Sequence, residues 1–370
     1  MQAGEFRVLA IDPGSASTKF AVYRNEQLEL VRNLSHSDNE MEPYLGRPIL
    51  DQLEFRQAKI EAELRDAGYE LTQLHAVAGR GGMIRPLASG TYRVNEEMLG
   101  DLRLTRYGEH AANLGAFLAQ AIAQKAGVEA FVVDPVSVDE WTDRARISGS
   151  ALVERFCMSH ALNTKAVARR YAREQGRTYP ELRLVVAHMG SGISVSAHEG
   201  GRMIDINSAG QEGTFSTERS GGLPLQRVIQ LCFSGKYTEK QLWSLFHRQG
   251  GIYSYLGTKD LREVERRIAD GDSKAALIFD AMAYQIAKDI GALATVLHGR
   301  LDAILLTGGM AHSAKLIEQL RPAIEWIAPV VVYPGEDELQ ALAEGALRVL
   351  RHEEQARELQ CQAQDQSNLP

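Results

Sequence analysis

The sequence predicts an α/β protein built from two copies of one domain, and three observations carry that prediction. Residues 8–23 (VLAIDPGSASTKFAVY) and 184–198 (LVVAHMGSGISVSAH) share one pattern: an apolar β-rich run, a polar residue, a spacer, Gly-Ser and an alternating stretch. Placing Asp12 on His188 also places Gly14 on Gly190 and Ser15 on Ser191. Short apolar runs at 74–78 and 303–306 lead into glycine clusters, Gly79-Arg80-Gly81-Gly82 and Gly308-Gly309. The chain has 370 residues, and at roughly 100–200 residues per domain that length predicts two domains.

The elements follow in order. Period-two apolar stretches on both sides of a short Gly-containing turn read as a β-hairpin. Each hairpin continues into a third stretch, near residues 28–34 and 202–206. Two hairpins near the starts of the two halves predict equivalent Gly-Ser turns facing each other across a cleft. The runs at 74–78 and 303–306 read as strands, the second feeding a helix over about 311–320. A strand, glycines and a helix bring backbone N–H groups close to a ligand. Apolar residues at three- and four-residue spacing predict helices at 110–126, 275–297 and 338–350. Strands alternating with such helices argue for α/β layers. The polar stretch from Arg351 to Pro370 is expected to fray.

Composition narrows the function. Apolar residues make up 44% and charged residues 24%, the balance of a soluble globular enzyme. Lys plus Arg is 41 against 48 Asp plus Glu, a net charge of −7. No general pull toward nucleic acid or an anionic membrane follows from that charge, so a phosphate site must be local. No run approaches the roughly 18 apolar residues of a membrane span. The first residues, Met-Gln-Ala-Gly-Glu, lead into a strand without a basic and then apolar leader, so a cytoplasmic protein is expected. Cys157, Cys232 and Cys361 are widely spaced and form no CxxC, which disfavours a disulfide framework or a zinc knuckle.

The motifs point to phosphate chemistry without a common nucleotide signature. Gly14-Ser15-Ala16-Ser17-Thr18 and Gly190-Ser191-Gly192 bring N–H groups and hydroxyls into a tight space that suits polyphosphate oxygens. Ordinary turns also favour Gly and Ser; the paired occurrence favours the phosphate reading. Neither GxxxxGK[ST] nor a GxGxxG after a strand is present, which disfavours P-loop and dinucleotide-binding folds. Arg80 lies between Gly79 and Gly81, and Arg219 lies in the run Thr217-Glu218-Arg219-Ser220-Gly221-Gly222. An arginine so placed can bring its fork to a carboxylate or phosphate, or form a surface ion pair. Asp134 follows the apolar run 130–133 and stands at a strand end, where α/β ligand sites form. His160 and His188 lie beside small or apolar residues, where core histidines are also common.

Ten motifs, in order over residues 8–350, resemble the acetate and butyrate kinases, the butyrate kinases most. They begin with DPGSASTK at 12–19, AGRGG at 78–82, VDPVSVDE at 133–140, SHALNTKAVAR at 159–169 and AHMGSGISVSAH at 187–198. ERSGGLP at 218–224, LCFSGKY at 231–237, YLGTKDLREVE at 255–265, LTGGMAHS at 306–313 and YPGEDELQALAEGALR at 333–348 complete them. The resemblance implies duplicated actin-like (ribonuclease H-like) domains with a nucleotide cleft between them. Residues 1–149 would form the first, completed by the helix at 337–352. Residues 150–336 would form the second, carrying nucleotide and dimer surfaces, with 353–370 as a frayed tail. The implied reaction is ATP-dependent phosphorylation of butanoate, or of another short or branched acid. A catalytically weak nucleotide-binding sensor is the alternative from another class.

The same resemblance implies roles. Arg80 and Arg219 would hold the carboxylate and the transferring phosphoryl group, His160 would donate to the transition state, and Asp134 would orient Arg80. Ser15, Ser17, Lys19, His188, Gly190 and Gly192 would line the phosphate channel. Asp260 and Arg262 would bracket the adenosine, with Gly308 and Gly309 against it. Asp337 falls near the family's magnesium-site acid, with Glu336 and Glu338 as rivals in register. Asp12 stands where the family usually has Asn: it either faces Mg²⁺, the favoured expectation, or is a tolerated liability near the phosphates. Ser159 and Ser191 also depart from the usual pattern. The implied partners are ATP or ADP with Mg²⁺, a short-chain carboxylate, and further copies of this chain as a homodimer or larger homo-oligomer. Neither nucleic acid nor membrane is implied.

Overall fold

The computed structural model describes residues 4–208 and 210–360. They form two units, residues 4–138 with 337–360 and, in the second, 139–208 with 210–336. The division falls at Asp139 rather than at the expected residue 150.

In the first unit β1 (Arg7–Pro13), β2 (Ser17–Arg24) and β3 (Gln27–Ser35) form an antiparallel meander. β4 (Ala76–Arg80) lies parallel to β1, and β6 (Glu129–Val133) lies parallel to β4. The short β5 (Thr91–Arg93), which the sequence did not suggest, runs antiparallel along β6. Val8, Leu9, Ala10 and Ile11 are all fully buried, as expected for a strand covered on both faces. Helices Leu114–Ala126 and Glu338–Leu350 pack on this sheet.

The second unit repeats the plan. β7 (Leu184–Met189), β8 (Ile193–Glu199) and β9 (Arg202–Ser208) form the meander. β10 (Ala303–Gly308) lies parallel to β7 and β11 (Val330–Pro334) parallel to β10. The strand orders β3-β2-β1-β4-β6 and β9-β8-β7-β10-β11 are therefore the same. The repeat extends to a local defect. The register of β2 on β3 slips between Val22 and Tyr23, and that of β8 on β9 between Ala197 and His198, equivalent positions in the two meanders. Here the alternation sorts side chains between two cores. Val185, Ala187, Ile304 and Leu306 pack with helices Ser273–Val296 and Ala314–Ile324. Leu184, Val186, Ala303 and Leu305 pack with helix Ala161–Glu174. Period two along each strand places these sets on opposite faces.

Three expectations change. Arg80 ends β4 instead of lying in a loop. The helix after β10 begins at Ala314, behind a 3₁₀ turn over Gly309–His312. The stretch expected to fray is packed as far as residue 360. Arg357 pairs with β5 at Tyr92, Leu359 is buried, and Gln360 O accepts from Arg85 Nη1 at 3.1 Å. The remainder of that stretch, with Cys361, lies outside the described residues.

Candidate active site

In the first unit the candidate residues gather at the ends of β1 and β4. Arg80 is set by a close approach of backbones. A Cβ on Gly79 would stand 2.0 Å from Gly115 O, and one on Gly115 would stand 2.1 Å from Arg80 O. Only paired glycines let helix Leu114–Ala126 lie this near β4. Arg80 Nη1 donates to Asp12 Oδ1 at 3.1 Å and also to Glu338 Oε2. Glu338, a rival of Asp337 in register, meets Arg80, with its side chain 10% exposed. Asp337 is exposed at the cap of the same helix, and its charge, after burial, helps push the Tyr23 phenol up to about 12.

Asp134 is buried directly after β6, with φ 38°. Its Oδ1 accepts from Ser89 Oγ at 2.5 Å and Gly90 N at 2.8 Å, and its own N–H donates to Gly90 O. These two bonds to Asp134 brace the 89–90 turn, and bonds to Asp12 and Glu338 engage Arg80. In the β1–β2 turn Ser15 is exposed and Ser17 half-buried. Lys19 is exposed and sits opposite Asp12 in the ladder.

In the second unit His160, His188, Gly190, Gly192 and Arg219 come together. The imidazoles of His160 and His188 stack at 3.9 Å between centroids and 11° between planes. His160 Nδ1 meets Ser194 Oγ at 2.9 Å. His188 Nδ1 meets Asn163 Oδ1 at 2.9 Å, and its Nε2 lies 3.2 Å from Glu336 Oε1. A Cβ on Gly190 would stand 2.9 Å from that same Glu336 oxygen.

Arg219 is half-buried against the β7–β8 turn. A Cβ on Gly192 would stand 2.7 Å from its Nη1, so the missing side chain makes room for the guanidinium. Ser216 fixes the loop: its hydroxyl donates to Ser191 O and accepts from Arg219 N at 3.1 Å. Among the described residues no side chain accepts a hydrogen bond from the Arg219 guanidinium. Burial pushes its pKa down, and only the charge of Glu218 opposes the shift. A desolvated cation in that state gains from an arriving anion.

Beside this group a cavity of about 770 Å³ is lined by Gly190, Ser191, Lys259, Asp260, Arg262 and Gly309, among others. Its size lies in the range of small-molecule sites. Asp260 caps helix Leu261–Ala269, accepting from Arg262 N at 2.9 Å, and pairs with the Arg262 guanidinium at 2.7 Å. Gly308 (φ 91°) exchanges backbone hydrogen bonds with Gly335, and a Cβ there would stand 2.4 Å from Met189 O. Sequence reasoning missed Asn163, Ser194, Ser216 and Lys259. Asn163 had a signal, being one helical turn from His160; the others sit among many similar polar residues.

The acetokinase family model matches residues 148–328. Over 354 residues the chain is 48% identical to butyrate kinase 2 of Clostridium acetobutylicum, spanning 95% of this chain and 99% of that protein. Butyrate kinase 1 of the same organism matches equally well, at 48% over the same shares. An acetate kinase structure from Porphyromonas gingivalis superposes with TM-score 0.74 at 19% identity, covering 93% of this chain and 100% of that one. A propionate kinase structure from Francisella tularensis gives 0.66 at 17% identity, with 92% and 98% covered. These structural likenesses show the actin-like fold, and the full-length sequence matches show the kinship: the chain belongs to the acetokinase family.

Proposed function

We propose that the protein is an ATP-dependent carboxylate kinase acting on butanoate. In the reaction a carboxylate oxygen forms a bond to the γ-phosphorus of ATP, the bond from that phosphorus to the β-bridging oxygen breaks, and ADP leaves with its electron pair. The observation that carries the reading is Arg219, a half-buried guanidinium that no acid among the described residues bonds. A butanoate carboxylate is ionised at neutral pH, so no base is needed. The barrier lies in bringing anions together, and positioning with charge neutralisation lowers it. Arg219 would carry most of that neutralisation, because Arg80 already spends charge on Asp12 and Glu338. His160, fixed by Ser194 and by the stack on His188, would donate to the transferring group. The 770 Å³ cavity would take the nucleoside of ATP.

Mg²⁺ suits the acid set. Among the described residues no three acid, histidine or cysteine side chains form a metal cluster, and magnesium in phosphoryl transferases commonly takes one or two carboxylates besides the phosphates. Asp12 and Glu338 are two hard-oxygen donors on one guanidinium and would hold the ion, with the exposed Asp337 as the further candidate. When bound, it supplies charge neutralisation on the phosphate oxygens.

A second copy of the chain is the partner proposed. Helix Leu225–Cys232 buries none of its residues, and Leu225 (72%) and Phe233 (87%) are widely exposed, an apolar surface that self-association would cover. Light scattering on the parent and on Phe233→Glu tests this: a dimer that Phe233→Glu dissociates is expected, and a parent monomer contradicts it. No described helix is long and apolar enough to cross a membrane, and the cytoplasm, where ATP is available, is the proposed location.

The experiment for the reaction is acyl phosphate formation with a graded set of straight-chain acids. One methylene discriminates by only about 1–3 kcal/mol, so neighbouring acids overlap, with butanoate above acetate in kcat/KM. A preference for acetate moves the assignment within the family. Nucleotide binding without acyl phosphate from any acid leaves the sensor reading.

A further inference from the structure

Arg56 lies in helix Leu53–Asp66 and is fully buried. Nothing in the helix sequence, LEFRQAKIEAELRD, sets it apart from the surface arginines around it. Its Nη1 donates to Gly14 O, Ser17 O and Thr18 Oγ1, each at 2.9 Å. Nη2 donates to Ser15 O at 3.1 Å, and Gln52 Oε1 accepts from Nε at 3.0 Å and Nη2 at 2.8 Å. Every guanidinium nitrogen is thus engaged, chiefly by the carbonyls of the β1–β2 turn. None of these partners is a carboxylate, and burial pushes the pKa down to about 10.

The consequence follows from peptide geometry. In a trans peptide the C=O and the next N–H point in opposite directions. Carbonyls of Gly14 and Ser15 turned onto Arg56 therefore turn the N–H groups of Ser15 and Ala16 away from it. Gly14 N donates to Ser17 O at 2.8 Å, which closes the turn on itself. Successive N–H groups on one side of a tight turn form a cradle for an anion, and the buried cation behind them adds to the attraction.

We propose that Arg56 is a positioning residue of the phosphate-binding turn: by holding the carbonyls of Gly14, Ser15 and Ser17 it aims the amides of Ser15 and Ala16 at the nucleotide phosphates without touching them. This rests on the reading of that turn as part of a phosphate site. The second turn shows what the device replaces. There Ser216, a neutral hydroxyl, holds the carbonyl of Ser191, while the Arg219 guanidinium occupies the space left open at Gly192.

Arg56→Lys keeps the charge and loses the fork, and three readouts test it well below its melting temperature: KM for ATP, KM for butanoate, and the calorimetric affinity for magnesium pyrophosphate. A misplacement of about 1 Å can cost about a hundredfold. The expected result is a rise of about tenfold in the ATP KM and in the pyrophosphate dissociation constant, with the butanoate KM unchanged. A lowered melting temperature with all three constants unchanged overturns the proposal and leaves Arg56 a packing residue. Should Arg56→Lys not fold, Gln52→Met removes one orienting acceptor and is expected to move the same two constants by about threefold; no movement overturns the proposal equally. Pyrophosphate binding needs no turnover, so a parent without kinase activity would sink the proposed reaction while Arg56 remained testable.

Discussion

In the first unit the turn after β1 is braced from behind by Arg56, whose guanidinium takes three of its carbonyls. In the second unit the turn after β7 is one residue shorter, is braced by the hydroxyl of Ser216, and opens at Gly192 to admit Arg219. The strands around the two turns kept the same order and even the same bulge. What diverged is the use of arginine. One half spends its buried cation on its own backbone, while the other presents a cation that no acid among the described residues bonds. Arg80 lies between these extremes, facing outward from its strand end yet paired with Asp12 and Glu338. A duplicated frame can thus give one half the task of shaping a site and the other the task of binding charge.

The largest effects should come from the arginines. Arg219→Ala is expected to lower kcat/KM by at least about a hundredfold, the scale of losing one charge-stabilising donor in a dry site. Its melting temperature should hold, because no described acid loses a partner. Arg80→Ala should lower activity comparably and also destabilise, since Asp12 and Glu338 would face each other uncompensated. Steady-state kinetics beside thermal melts separate the two. Equal stability losses in both variants would erase the distinction between a paired and an unpaired arginine.

The glycines sharpen the contrast between the turns. Gly192→Ala places a methyl 2.7 Å from Arg219 Nη1 and should displace the guanidinium, cutting kcat/KM by about tenfold with little change in stability. Gly14→Ala meets nothing nearer than 3.5 Å and should be almost silent. Matched assays of the two alanine variants check this, and a silent Gly192→Ala would mean that Arg219 does not need the space.

The duplication of strands was legible in the sequence because β1, β2, β7 and β8 carry alternation and Gly-Ser at matching offsets, and pleat and turn write themselves in that pattern. Arg80, Arg219, His160 and His188 stood out by their glycine or small-residue surroundings. Arg56 did not, because a charged residue in a polar helix looks the same from the sequence whether it faces water or a turn more than thirty residues away. Glu338 could not be separated from its neighbours Glu336 and Asp337 by register alone. The cap of the helix decides it, turning Glu338 inward and leaving Asp337 exposed. Residues 351–360 read as tail because they carry few apolar groups; backbone pairing with β5 and the single buried Leu359 hold them.

The smallest expected effect concerns pH. Each unit holds a buried histidine in its neutral form. Burial first, then the charges of Arg56 and Lys59, push His36 down to about 4, and burial followed by Lys165 and Arg169 holds His198 well below its usual value. The unfolded chain binds these protons more readily. Their contribution is therefore complete above about pH 6.5 and is lost as pH falls toward the folded values, by at most about 1.4 kcal/mol per pH unit for each histidine. Asp205 and Asp289, whose carboxyls burial pushes up, work in the opposite sense. The comparison that isolates the effect is urea unfolding at pH 7 and pH 5 for the parent and His36→Gln, where the variant should lose less on acidification. An identical loss in both would assign the dependence to other groups.

The proposed chemistry is phosphoryl transfer to a carboxylate oxygen, with Arg219 receiving the charge. Phosphorus NMR of the protein with ATP, magnesium and butanoate labelled with heavy oxygen in its carboxylate observes that transfer directly. The predicted result is a butanoyl phosphate resonance that carries the isotope shift of a labelled bridging oxygen, appears together with ADP, and is strongly diminished in Arg219→Ala. Consumption of ATP to unlabelled inorganic phosphate without an acyl phosphate, or a labelled product formed as fast by Arg219→Ala as by the parent, would contradict it.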